Sequence, residues 1–334
     1  MSERKQIAWD EQEIADLTAK VGLLKASMSK VIIGQENVVE SLIICLLAGG
    51  HALVEGVPGL GKTLLVKSLA QATDMQFRRV QFTPDLMPSD IVGTEILEED
   101  QTTRQRVFRF QQGPVFTQVL LADEINRAPP KTQSALLEAM QERSVTFAGQ
   151  THKLPQPFFV LATQNPIEQA GTYPLPEAQL DRFLLRIDVG YPTEDEEMEM
   201  VSATTHAGLR DATAAMDVAS LLRLQLLVRD IEIGDHLLRY ATRLVRATRP
   251  QDSKVDSVIK HVGWGAGPRA GQALVLASKA RALMHGRLTV TREDIGAMLL
   301  PVLAHRVLRN FEAEADGVAI ADILLALRSA ITPD

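Results

Sequence analysis

The stretch Gly56-Val57-Pro58-Gly59-Leu60-Gly61-Lys62-Thr63 decides the fold. It fits G-x-x-x-x-G-K-[ST] at every fixed position, a loop whose backbone N–H groups curl around phosphate oxygens. Lys62 is spaced to reach the β- and γ-phosphates of ATP, and the Thr63 hydroxyl to reach Mg²⁺. Before the loop, residues 51–55 (HALVE) read as a buried strand; after it, residues 63–72 have helical spacing. The helix would add the positive end of its dipole to the phosphate site, which is expected to continue to Leu64. A Gly-rich turn without a ligand is the plain alternative, and the strand–loop–helix order argues against it.

Working outward, further strands are expected at 76–81, 119–122 and 158–162, the last two nearly all apolar, as suits central parallel strands covered on both faces. Helices are expected at 10–30, Glu36–Leu47 and 130–143, with a short apolar turn (VIIGQ) at 31–35. Alternating strands and helices imply an α/β sandwich with a parallel sheet. Past Tyr191-Pro192 strand signals become rare. An acidic helix is expected at 193–206 with Thr193 as its N-cap, then helices at 218–229, 234–247, 268–285, 292–304 and 318–331, separated by loops at 207–217 and 249–256. The chain therefore divides into a nucleotide-binding core, residues 1–190, and an all-α second domain, residues 191–334.

Composition narrows the function. With 46% hydrophobic and 23% charged residues over 334 positions, the chain is a soluble globular protein able to bury its own core. A formal charge of −7 argues against a nucleic-acid partner, which usually meets a basic face. Cys45 is the single cysteine and lies in an apolar stretch, so it reads as a core residue. The polar N-terminus does not read as a signal peptide, and no run of about 18 apolar residues reads as a membrane span. A cytoplasmic location is expected.

Four more motifs bear on chemistry. In Val119-Leu120-Leu121-Ala122-Asp123-Glu124 an apolar strand ends in two acids: Asp123 suits Mg²⁺ held through water, Glu124 the polarising of an attacking water. Having both separates a hydrolase from a kinase. Asn165, ending the strand of residues 159–166 (FVLATQNP), is positioned to orient that water, with an ordinary Asn-Pro turn as the alternative. Arg182 follows a short helix, Glu177–Leu180, and could reach a neighbouring subunit's nucleotide; a surface salt bridge remains the alternative. In Gly265-Ala266-Gly267-Pro268-Arg269-Ala270, Arg269 falls in the first turn of a helix, where a cation opposes the dipole and hints at an anionic ligand, although a solvated arginine is the bland reading.

These motifs, in this order, resemble the AAA+ ATPases and within them the MoxR family, from about Val31 to about Asn310. GVPGLGKT is similar to that family's Walker A, and residues 120–142 (LLADEINRAPPKTQSALLEAMQE) to its Walker B and following helix. ATQNP resembles sensor 1, LPEAQLDRF the arginine-finger segment, and GAGPRA sensor 2. The resemblance assigns those roles to Asn165, Arg182 and Arg269. The family more often has serine where Gly267 stands, which puts an N-cap in doubt. Residues 82–116 resemble the helix-2 insert, and residues 143–154, with Gly149-Gln150 between two extended runs, the hairpin before sensor 1. The resemblance further implies an adenine pocket around Ile33, Gly34 and Gln35, a homo-oligomeric ring, usually hexameric, and a protein client, often one with a von Willebrand factor A domain. A magnesium-chelatase-type ATPase subunit, a nucleotide-gated scaffold with little turnover and a nucleic-acid motor are the competing readings. His206, His261 and His285 show no metal spacing and read as surface or packing residues; Trp264 reads as packing the second domain, and the acidic run 194–199 as a solvated helix face.

Overall fold

The computed structural model describes residues 8–57, 59–99, 106–165, 171–205 and 211–332. Two helices, α1 (Glu11–Ser29) and α2 (Glu36–Leu47), lead into β1 (Ala52–Gly56), α3 (Lys62–Ala72) and β2 (Phe77–Gln81). Next come α4 (Pro88–Val92) and a hairpin of β3 (Gly93–Glu99) and β4 (Arg106–Gln112), then β5 (Val119–Asp123) and α5 (Pro130–Glu142). A second hairpin, β6 (Ser144–Phe147) and β7 (Gln150–Lys153), precedes β8 (Phe159–Gln164), α6 (Glu177–Leu180) and β9 (Leu185–Val189). The remainder is helical: α7 (Glu194–Thr205), α8 (Val218–Asp230), α9 (Asp235–Arg246), α10 (Asp256–His261), α11 (Pro268–Met284), α12 (Arg292–Leu303), α13 (Phe311–Ala315) and α14 (Ile320–Ala330). A short ribbon of β10 (Val262–Trp264) and β11 (Leu308–Arg309) is inserted among them.

Strands β2, β5, β8, β1 and β9 lie side by side in that order, and every pairing is parallel. All five carboxyl ends therefore share one edge of the sheet, and the loops after β1, β5 and β8 open there together. β5 and β8 are buried along nearly their whole length, as their apolar runs require. β9 falls outside the strands expected from sequence. Arg186 and Asp188 interrupt its apolar residues, which an edge strand tolerates because it needs burial only on alternate residues.

Each face of the sheet has its own apolar core. One gathers Phe82, Ile91, Leu120, Leu136, Val160 and Phe183 beneath α5 and the base of the first hairpin. The other runs from Leu17, Leu42 and Leu69 through Leu161 and Leu185 into Leu224, Leu274 and Leu303 of the helical region. It does not break near residue 190, so the C-terminal helices are seated on the sheet layer by shared burial. Truncating one such buried leucine to alanine costs about 2–5 kcal/mol.

Details of the loops correct two expectations. The second hairpin turns at Ala148 and Gly149, both with positive φ (47° and 79°), so Gln150 already belongs to β7. Trp264 does not pack the helical region: it is 70% exposed, because the two-stranded ribbon carrying it has an open face. The Phe110 ring stacks on His152 at 4.4 Å and lies 5.3 Å from Phe147, so the two hairpins touch. Thr193 caps α7 as expected, exchanging hydrogen bonds with Glu196. Cys45 is fully buried, and burial pushes its thiol pKa up. His206 lies outside the described residues; His285 contacts Glu40 at 3.2 Å.

Candidate functional site

The loop after β1 has the shape of a phosphate cradle. Gly59 and Gly61 adopt left-handed φ values of 89° and 74°, and no atom lies within 4 Å of where a Cβ would sit on either. A larger residue would be strained, and the open space is left for a ligand. Gly61 caps α3 without any side-chain hydrogen bond, leaving the helix's first N–H groups for an anion. The Lys62 ammonium donates to the Gly56 carbonyl at 2.5 Å. Burial pulls its pKa down, while Asp123 and Glu124 push it back up. Thr63 is half-buried and Leu64 partly exposed beside it. Pro58 lies outside the described residues. On the expected adenine side, Gln35 Nε2 donates to the Leu60 carbonyl at 3.5 Å, and Gly34 lies against the side chain of Glu196. Ile33 is half-buried next to them.

The acids meet the loop at the same edge. Asp123 is the last residue of β5, and Glu124 follows it in a left-handed conformation (φ 56°), a strain of about 1–3 kcal/mol of the kind kept at functional sites. Thr163, unremarked in the sequence, joins the two acids: its hydroxyl donates to Asp123 Oδ1 at 2.6 Å and accepts from the Glu124 N–H at 2.8 Å. Parallel pairing of β5 with β8 puts Thr163 beside Asp123, and a hydroxyl in an otherwise apolar strand was the available signal. Arg79 donates to Asp123 Oδ2 at 2.7 Å. Glu124 Oε2 accepts from Gln81 Nε2 and from Arg127 Nη1, both at 2.9 Å. Asn165 is buried at the end of β8, one residue past its last paired position. The donor set fits a triphosphate with Mg²⁺: one lysine, a hydroxyl and a carboxylate around a cradle of backbone N–H groups.

Arg182 and Arg269 are elsewhere. Arg182 precedes β9, at the amino edge of the sheet, and the five residues of β9 span about 16 Å between the two edges. Its Nη1 donates to the Leu137 carbonyl at 2.6 Å, and its Nε has no acceptor. Arg269, in the first turn of α11, approaches Asp181 Oδ2 at 3.9 Å. Gly267 caps that helix without a side-chain hydrogen bond, as its lack of a side chain requires. Arg182 and Arg269 line one cavity of about 880 Å³ together with Arg246, Arg249 and Arg306. Among the described residues, no phosphate-loop residue lines it. Arg306 went unnoticed in the sequence, since no motif surrounds it.

Comparison with known proteins identifies the fold. Residues 51–185 match the ATPase family associated with various cellular activities (AAA), and residues 259–326 match the AAA lid domain. Chaperone MoxR1 of Mycobacterium tuberculosis is 43% identical over 309 residues, covering 91% of this chain and 80% of that protein. The chain belongs to the MoxR family of AAA ATPases. Protein MoxR of Paracoccus denitrificans is 31% identical over 97% of this chain and 98% of its own length. A crystal structure of a candidate ATPase from Cytophaga hutchinsonii superposes with a TM-score of 0.90 at 39% identity, covering 97% of this chain and 98% of that one. The five-stranded parallel sheet with its helices and the helical C-terminal region are thus the AAA+ sandwich and lid of a MoxR protein. Among the described residues no helix is long and apolar enough to cross a membrane.

Proposed function

We propose that this MoxR protein is an ATP hydrolase that works as a homo-oligomeric ring, of hexameric type, and couples turnover to remodelling, activation or maturation of a partner protein. Residues 1–190 act as the nucleotide-binding core and residues 191–334 as the lid. One observation supports the catalytic half: the phosphate loop and the two acids lie at the carboxyl edge, while Arg182 lies before β9 at the opposite edge, about 16 Å away along that strand, with Arg269 3.9 Å from the adjacent Asp181. Such a chain finishes its site only by meeting a second copy.

Each residue then has a task. Gly56 to Thr63 cradle the phosphates, and Lys62 neutralises the β- and γ-oxygens. Thr63, and Asp123 through water, would hold Mg²⁺, which supplies charge neutralisation on the transferred phosphoryl group. Glu124 polarises the attacking water, and Asn165 orients it. Thr163 fixes the Asp123 carboxylate and the Glu124 backbone, and Gln81 and Arg127 hold the Glu124 carboxylate, so that both acids are set before the nucleotide arrives. Ile33, Gly34 and Gln35 border the base, where apolar side chains suit a flat, weakly polar ring. Arg182 and Arg269 act in trans on the neighbour's phosphates.

The client half rests on kinship. A relative 43% identical is named a chaperone, and that name supports a role on other proteins. The partner we infer carries a von Willebrand factor A domain. The Glu124→Gln protein tests both halves. It should bind ATP, hydrolyse it at least about 100-fold more slowly, and retain such a partner in a pull-down with ATP but not with ADP. Hydrolysis at the parent rate would refute the catalytic assignment, and an ATP-dependent catch without such a domain would refute the partner.

A further inference from the structure

Arg306 follows α12 and inserts from the lid into the segment that carries Arg182. Its guanidinium is buried, with 4% of the side chain exposed. Nε donates to Asp181 Oδ1 at 2.7 Å. Nη2 donates to the Phe183 carbonyl at 2.5 Å and to the Asp181 carbonyl at 3.3 Å. Nη1 donates to the Leu184 carbonyl at 3.1 Å and to the Val302 carbonyl. Next to it, His305 Nε2 donates to the Phe183 carbonyl at 3.1 Å, and burial keeps that imidazole neutral. Only an arginine offers a planar fork of five N–H donors that could make this set.

The pattern is selective. The lid grips Asp181, Phe183 and Leu184, and it leaves the Arg182 side chain to α5. The second oxygen of Asp181 faces Arg269. One lid residue thus fixes the backbone on both sides of Arg182 and, through Asp181, borders Arg269. A buried ion pair is a poor way to glue two layers together, since apolar side chains of similar volume often hold as well or better. What the buried fork adds is geometry.

We propose that Arg306 is a positioning residue: it locks the 181–184 segment to the lid, so that lid movement sets where Arg182 and Arg269 meet the neighbouring subunit's nucleotide. This rests on the trans reading of those two arginines. Arg306 itself does not touch the nucleotide.

Arg306→Lys keeps a charge but cannot make the five bonds. Its kcat should fall about 10- to 100-fold, the change expected from losing charge-assisted hydrogen bonds, while KM for ATP changes less than about threefold and the ring still forms by light scattering. Mixing is the decisive readout. Equimolar Arg306→Lys and Glu124→Gln should regain turnover above the mean of the two alone, because the Glu124→Gln subunit lends a correctly held arginine to its neighbour. A parallel mixture of Arg182→Ala with Glu124→Gln reports on the trans reading. If that mixture recovers and the Arg306→Lys mixture does not, Arg306 is merely structural and the inference fails alone; if neither recovers, the trans reading falls and takes the inference with it. Unchanged kcat in Arg306→Lys also overturns the proposal. Should Arg306→Lys not assemble, Asp181→Asn removes the same charged contact from the other side, and the same mixing outcome is expected of it.

Discussion

At the carboxyl edge of the sheet, the side chains that matter sit close to a strand end in the chain: Lys62 one loop beyond β1, Asp123 and Glu124 at the end of β5, Thr163 and Asn165 at the end of β8. At the amino edge they come from far apart in the chain: Asp181 and Arg182 before β9, Arg269 opening α11, Arg306 after α12. The first edge is an open cradle with its acids held ready. The second is a set of cations, Arg306 buried and Arg269 exposed, gathered around the Asp181 carboxylate. The difference teaches that the two edges of one sheet can be built in different ways, one by strand register and the other by packing of the lid.

Breaking the amino edge should have the largest effect. Arg182→Ala should lower kcat about 10³-fold or more, the range measured for arginines acting across a subunit border, with ATP affinity little changed; a loss below about tenfold would reduce Arg182 to a packing residue. Breaking the carboxyl edge at Glu124→Gln should cost about 10²–10⁴-fold in kcat while nucleotide binding, measured by fluorescence titration, persists. Thr163→Val keeps the shape and removes the hydroxyl that joins the acids. It should cost about 10- to 100-fold in kcat, and a variant with normal turnover would show that the two acids hold themselves.

The smallest effect sharpens the comparison through pH. His51, just before β1 at the amino edge, accepts from the Val160 N–H at 3.0 Å and contacts the Met140 carbonyl at 3.2 Å. Burial lowers its pKa to about 4 from the ordinary 6.5. The unfolded chain therefore binds the proton first, and stability falls as pH drops from 6.5 towards 4, by up to about 1.4 kcal/mol per pH unit. Urea unfolding at pH 7 and pH 5 should show this loss, and His51→Gln should shrink it by about 2 kcal/mol. An identical loss in both proteins would assign acid sensitivity to other groups.

How much of this was legible follows the same division. The cradle, the two acids and Asn165 could be read because each belongs to an unbroken stretch in which an apolar strand runs into its own functional residues. Thr163 escaped because a hydroxyl in an apolar strand marks a polar position without naming its partner, which appears only when β5 and β8 are paired. Arg79 and Gln81 escaped for the same reason, since only the pairing of β2 with β5 brings them to the acids. β9 was hidden by Arg186 and Asp188 within it. Arg182 and Arg269 were picked out as arginines, but their meeting was not visible, because it depends on a core that runs from sheet to lid. Arg306 lies 125 residues from the Asp181 it holds, a separation across which no local pattern acts.

The measurement that bears most directly on the divided site is ATP turnover in an equimolar mixture of Arg182→Ala and Glu124→Gln proteins. Each variant alone should be nearly inactive. Mixed, an Arg182→Ala subunit keeps its own acids and receives an arginine from its Glu124→Gln neighbour, so the account predicts turnover well above either parent. A mixture no more active than its separate components would mean that both edges serve the same chain, and the reading of two half-sites would be wrong.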